Sequence, residues 1–140
     1  MDKILEKLNY KGQLRIALLN ADSKLHRSLS KKLNNVRIDT EIDQRYPYEF
    51  MIIFAQSLSE VEIYAPAALH NLLADGVLWL CYPKKSSKKF SSDLDRFKIW
   101  KAMINFGFSG VRMVAVDDDW SAMRLRNVKF IKPRPVILAK

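Results

Sequence analysis

Four short apolar runs decide most of what this chain can fold into. They are Leu14-Arg15-Ile16-Ala17-Leu18-Leu19, Phe50-Met51-Ile52-Ile53-Phe54-Ala55, Val77-Leu78-Trp79-Leu80-Cys81-Tyr82 and Val111-Arg112-Met113-Val114-Ala115-Val116. None alternates cleanly between apolar and polar residues. Such runs fit strands buried on both faces, the pattern of a parallel sheet held between two helical layers. Helical stretches separate them. After Asp22 or Ser23 as cap, Leu25, Leu29 and Leu33 make one apolar stripe, while Lys24, Arg27, Lys31 and Lys32 take the other faces. Ser57-Leu58-Ser59-Glu60 has the spacing of a capping box. Pro66 should kink that helix or restart it. Asp75-Gly76 should end it, with the glycine left-handed. A further helix should be capped by Ser91, Ser92 or Asp93 and should turn Leu94, Phe97, Trp100, Ile104 and Met103 inward before closing at Gly107.

The remaining segments carry weaker signals. Residues 2–10 read as a short helix or arm. Val36-Arg37-Ile38-Asp39 is a brief strand candidate, antiparallel or not a strand at all, because residues 40–48 are fewer than a parallel crossover usually takes. Ser121-Ala122-Met123-Arg124-Leu125-Arg126 alternates, and the turn at 117–120 is too tight for a crossover, so it should pair antiparallel with the run before it. Residues 132–140, with Pro133 and Pro135, read as a surface or edge tail. The expected architecture is a single α/β domain over residues 1–140. It has helices on both faces of a mostly parallel sheet of about five strands, closed by an antiparallel C-terminal hairpin. The runs at 14–19, 50–55, 77–82 and 111–116 should be neighbours in it.

Charge and cysteine content narrow the setting. With 24 basic and 15 acidic side chains the net charge is +9. That favours anionic partners and solubility alike. Residues 1–37 hold nine basic and three acidic groups, and residues 77–101 seven and two. A single cysteine forms no disulfide framework, no apolar run reaches membrane-spanning length, and the N-terminus lacks an apolar signal stretch. A cytoplasmic, membrane-free protein is expected.

Two motifs carry a resemblance. Asp75-Gly76-Val77-Leu78-Trp79 runs on to Tyr82-Pro83-Lys84-Lys85-Ser86-Ser87-Lys88, and Asp117-Asp118-Asp119-Trp120-Ser121-Ala122 follows. Together they resemble a bacterial family known as a domain of unknown function, made of short stand-alone chains, over most of residues 1–131. One stretch departs, with Phe97-Lys98-Ile99-Trp100 standing where small or polar residues are expected. Leu72-Leu73-Ala74-Asp75-Gly76, Gly107-Phe108 and the strands around Val114 and Leu125 also resemble the second half of class I methyltransferase-like Rossmann folds. That implies a Rossmann-like, three-layer domain. The resemblance brings no activity with it.

The chemistry is mostly exclusion. Only four glycines occur, all at expected turns, and the first strand is followed by Asn20-Ala21-Asp22-Ser23. A dinucleotide or S-adenosylmethionine loop needs glycines there so that backbone can approach the ligand. A P-loop is excluded likewise, and no cofactor is expected. If a nucleotide were held, Asn20, Asp22 and Asp39 would be the residues to do it, with Glu41 and Asp43 nearby. A solvated acidic loop is the favoured reading for the carboxylates. His26 and His70 have no metal-ligand spacing, Cys81 reads as a core residue, and Asp117-Asp118-Asp119 reads as a hairpin turn, so no metal site is expected. The segment after the third run differs. Lys84, Lys85, Ser86, Ser87, Lys88 and Lys89 leave the carboxyl end of a central strand ahead of a helix N-terminus, a place where phosphate or carboxylate groups are welcome. The favoured expectation is therefore a non-enzymatic binding module for an anionic small molecule or nucleic acid. The alternatives are a degenerate methyltransferase-like or nucleotide-using enzyme, and a structural protein that pairs through its tail.

Overall fold

The computed structural model describes residues 3–131; the tail at 132–140 and its pairing role lie outside the described residues. In chain order the elements are α1 (Lys3–Lys7), β1 (Arg15–Leu19), α2 (Ser23–Lys32), β2 (Arg37–Asp39), β3 (Tyr48–Phe54), α3 (Leu58–His70), β4 (Leu72–Pro83), α4 (Arg96–Ile104), β5 (Phe108–Ala115) and β6 (Trp120–Asn127). One six-stranded sheet has the order β2-β1-β3-β4-β6-β5. β1 to β4 are mutually parallel, and β6 runs antiparallel to both β4 and β5. The expected α/β architecture stands, with one strand more than anticipated.

Each face of the sheet has its own core. Leu5, Leu8, Leu29 and Leu33, from the α1 and α2 segments, pack on Ile16, Leu18, Ile52 and Trp79. Val61, Ala65 and Ala68 of α3 join Ile99 and Met103 of α4 on Ala17, Met51, Ile53 and Leu80. Both sets come from the same strands, so each central strand is buried on both sides, as its unbroken apolar run demands.

Several expectations are corrected. β2 is a strand, and it is parallel to β1 at the sheet edge. The short connection from β2 to β3 needs no helix because polar groups pin it. Asp39 and Asp43 pair with Arg15, and Asn71 donates to the carbonyls of Asp43 and Tyr46. Pro66 does not restart α3, because it lies inside one helix from Leu58 to His70. The proline lies on an exposed face, as does Glu62 four residues before it, whose carbonyl loses its usual amide partner to solvent rather than to the core. The helix ends at Asn71, and Leu72 already belongs to β4. The left-handed residue is Asp75, at φ 56°, and not Gly76. Gly76 is required for space instead, since a Cβ there would stand 3.0 and 3.1 Å from the carbonyl oxygens of Leu73 and Tyr48.

The C-terminal half holds the larger errors. β6 lies between β4 and β5, so the run at 111–116 is not the neighbour of 77–82 but the outer strand. The cap of α4 is Asp95, not Ser91, Ser92 or Asp93. Its inward residues are Ile99 and Met103, while Phe97, Trp100 and Ile104 face outward. Leu94, just ahead of the helix, is buried as expected.

Candidate functional site

The connection from β1 leads through α2 to β2 on one side, while β3 and β4 lie on the other. Open α/β sheets place ligands beyond the carboxyl ends of strands at such a switch. Here four loops meet at that edge, each set there by its strand. Asn20 follows β1 in the left-handed conformation, at φ 62°. Its side-chain amide donates to the Phe54 carbonyl at 2.9 Å, and Tyr64 of α3 approaches its oxygen at 3.4 Å. The side chain therefore spans the crevice between β1 and β3. Asp22 caps α2 by accepting from the Leu25 amide.

The basic loop leaves β4 at Pro83 and is tied to the β5–β6 turn. The Lys84 amide donates to the Asp119 carbonyl at 2.8 Å. Ser87 organises the rest. Its hydroxyl donates to the Asp119 carboxylate at 2.8 Å and accepts from the amides of Lys89 and Phe90. Phe90 packs on Trp120, which packs on Phe54, with both ring pairs 5.0 Å apart. Farther along, Ser92 donates to the Gln56 carbonyl at 2.6 Å, joining this loop to the one after β3. Lys85, Ser86, Lys88 and Lys89 are exposed, and Lys84 is half-buried. Among the described residues none of these four lysines forms an ion pair. Ser87 is committed to the loop's own frame. Asp117 accepts from the amides of Asp119 and Trp120, as a hairpin-turn aspartate does.

Asp39 stands apart from Asn20. It lies beside Ala17 within the sheet. Its carboxylate meets Arg15 at 2.8 Å and Arg37 at 3.0 Å and accepts from Tyr48. Burial alone would raise this carboxyl, but the hydrogen bonds from Tyr48, Arg15 and Arg37 outweigh it and hold it below the ordinary range. Arg15 also lies over the Tyr46 ring at 4.1 Å. Asp39 and Asp43 thus stitch the connection to Arg15 instead of lying in solvent, while Glu41 is exposed. The sequence signal for it was Arg15 itself, a cation inside an apolar run. Cys81 is buried, and burial followed by the nearby Asp117 charge pushes its thiol above the usual value. Among the described residues no group of three or more His, Cys, Asp or Glu could hold a metal ion, and no helix is long and apolar enough to cross a membrane.

A feature that the sequence reading missed lies on the α1–α2 side. A cleft of about 380 Å³ has Ile52, Phe54 and Cys81 at its floor and Lys3, Lys7 and Lys32 among its lining. Only the fold brings the first helix beside the second, so sequence spacing gives no hint of it.

Comparison with solved structures identifies the architecture. A SAM dependent methyltransferase from Aquifex aeolicus matches with a TM-score of 0.55 at 11% identity, over 88% of this chain and 87% of that one. The fold is methyltransferase-like and Rossmann-type. The Bacillus subtilis m1A22 tRNA methyltransferase TrmK matches at 0.54 and 11% identity, over 90% and 66%. Phosphoethanolamine N-methyltransferase 2 of Haemonchus contortus, in complex with S-adenosyl-L-methionine, matches at 0.55 and 14% identity, over 89% of this chain but only 36% of that enzyme. No family model matches the chain. No curated protein matches it either. At these identities the likeness establishes the fold alone. The residues at the switch point do not fit the cofactor of that last neighbour. The first-strand turn carries Asn20, bonded to the Phe54 carbonyl, in place of glycines, and Asp39, the carboxylate a ribose would need, is already engaged by three partners.

Proposed function

We propose that this chain is a non-enzymatic binding module for an anionic ligand, held at the carboxyl edge of the sheet by the Lys84–Lys89 loop. The observation that carries this reading is the loop's construction. Its backbone is fixed by Asp119 and Ser87, while Lys85, Lys88 and Lys89 stay exposed and unpaired. A fixed backbone lowers the ordering cost of binding. Asp119 is tied to the loop through one carboxylate oxygen, which accepts from Ser87, and its charge is outnumbered by the four lysines. Lys3 and Lys7, in the lining of the α1–α2 cleft with the single carboxylate Asp117, add to the positive field that attracts such a ligand.

The test uses inorganic pyrophosphate and immobilised heparin as probes. Lys85→Ala/Lys88→Ala, both exposed, should weaken pyrophosphate binding at least threefold and lower the salt needed to elute the protein from heparin. Melting should change little, because exposed substitutions usually shift stability by less than about 0.5 kcal/mol. Binding should also weaken as salt rises. A control that removes equal charge from α2, Lys24→Ala/Lys31→Ala, should leave pyrophosphate binding intact. Equal losses in both double variants would reduce the loop to its share of net charge and end this reading.

The methyltransferase-like fold favours a second reading, an enzyme that uses a nucleotide at an altered cofactor loop. Calorimetry with S-adenosylmethionine separates the two. Tight one-to-one binding would replace the first reading with the second.

A further inference from the structure

We infer that the outward face of α4 is a docking surface for an acidic amphipathic helix of a partner protein. Phe97, Trp100 and Ile104 recur at the spacing of one helical stripe. That stripe has every mark of a core-facing surface, but the core takes a different one, Ile99 and Met103. α4 therefore carries two apolar faces, and a helix apolar on two sides is normally covered on both. Phe97 is 68% exposed and Trp100 46%. Beside them Val111 and Met113 of the outer strand β5 are also exposed. Together these side chains line a groove of about 520 Å³ whose base is Gly110 and Met123. A Cβ on Gly110 would come within 2.8 Å of the Met123 sulfur, so the bare backbone there is what leaves the groove its depth. Trp100 is held upright over it by donating from its indole nitrogen to Ser109 at 3.0 Å.

Charge selects the occupant. Arg96 and Arg112 line the groove, and Lys101 flanks the stripe on the other side of α4, one helical turn beyond Phe97. None of the three forms an ion pair among the described residues. α4 itself contains no acidic residue. A second copy of this chain, packed α4 against α4, would set these cations against each other. The chain's own residues 132–140 bring Lys132, Arg134 and Lys140 and no Asp or Glu. A partner helix with apolar anchors at i, i+3 or i+4 and i+7, and Asp or Glu on its flanks, matches both the stripe and the rim. This inference is independent of the anion-binding loop.

The experiment selects binders from a displayed library of 18-residue helical peptides, with apolar stripe and flanking positions randomised, against the full-length protein. Peptides rich in acidic flanks should be enriched. Their affinity should fall at least tenfold for Trp100→Ala and for Phe97→Ala, and should be unchanged for Lys24→Ala/Lys31→Ala. Their binding should shield tryptophan fluorescence from acrylamide, because Trp100 is exposed while Trp79 and Trp120 are buried. No enrichment, basic or neutral flanks, or binding indifferent to Trp100 would overturn the proposal. So would a concentration-dependent dimer that Trp100→Ala abolishes, which would assign the face to a second copy. A tenfold gain in affinity for Ile137→Glu/Leu138→Glu would assign it to the chain's own end.

Discussion

Replacing Ser87 with alanine tests whether the basic loop is a built structure or a string of charges. The hydroxyl donates to the Asp119 carboxylate at 2.8 Å and accepts from two amides, those of Lys89 at 3.2 Å and Phe90 at 3.1 Å. A hydrogen bond to a charged acceptor contributes about 1.5–3 kcal/mol, and this half-buried one belongs at the low end. The Lys89 amide is exposed, so water replaces its lost acceptor. The Phe90 amide is only partly accessible and adds about half a kcal/mol. Ser87→Ala should therefore destabilise by about 2 kcal/mol, or lower the melting temperature by about 7 °C for a domain of this size. The neighbouring Ser86→Ala is the control. Ser86 is exposed and has no partner among the described residues, so its change should stay within about 0.5 kcal/mol. Urea denaturation of the two variants gives the comparison, and pyrophosphate titration gives the functional side. Ser87→Ala removes no charge, yet it should weaken binding, because the lysines would no longer be displayed on a fixed backbone. Equal stability of the two serine variants would refute the structural reasoning. Full binding by Ser87→Ala would show that the frame is irrelevant to the site.

Other perturbations have equally definite outcomes. The Asp75 carboxyl is held low by its two hydrogen bonds from Arg126, each 2.7 Å, and Asp39 and Asp43 are also lowered. Carboxyls depressed in the folded state add stability that is complete above their unfolded value, near 3.9, and is lost as pH falls through the folded values. Melting temperature should thus be flat from pH 7 to about 5 and drop steeply below about 4; a protein equally stable at pH 3 would contradict these pairings. Gly76→Ala should cost about 2 kcal/mol although Gly76 has an ordinary φ, because two backbone carbonyls cannot yield to the new methyl group. Denaturation with an unchanged midpoint would show that β4 relaxes there.

The parts of the fold legible in the sequence are those in which one pattern has one meaning. Unbroken apolar runs marked β1, β3 and the second half of β4, the strands that are covered on both faces. Cap residues Asp22 and Ser57 marked the starts of α2 and α3 correctly. The failures occur where one pattern serves two surfaces. In α4 the larger residues, Phe97 and Trp100, made the stronger stripe, but Ile99 and Met103 face the core. In β5 the apolar run reads as buried, while the strand is at the edge because β6 inserts between it and β4. A tight hairpin is compatible with either order, so local chemistry does not choose. The site shows the same division. The lysine loop and its place after a central strand were readable from the chain. That Ser87 is spent on Asp119, and Asp39 on Arg15, depends on contacts between residues 32 and 24 positions apart.

Asn20 is where fold and function come closest to conflict, and its replacement by glycine distinguishes two causes for the altered crevice. The backbone there is already left-handed, at φ 62°, so glycine accepts the position without strain. What is lost is the bond to the Phe54 carbonyl at 2.9 Å and the weaker contact with Tyr64, about 1 kcal/mol in all. The side chain that bridges β1 and β3 disappears, and the crevice of the methyltransferase-like fold opens. If Asn20 alone closes that crevice, Asn20→Gly should acquire measurable S-adenosylmethionine binding. The structure argues for the opposite result. The ribose would still lack a free carboxylate, because Asp39 remains bound to Arg15, Arg37 and Tyr48 and its withdrawal would leave Arg15, which lies largely out of solvent, short of a partner. Calorimetry on Asn20→Gly should therefore show a stable fold and no binding. Binding in the micromolar range would mean that a single side chain separates this chain from a cofactor-using relative, and the enzyme reading would displace the binding-module reading.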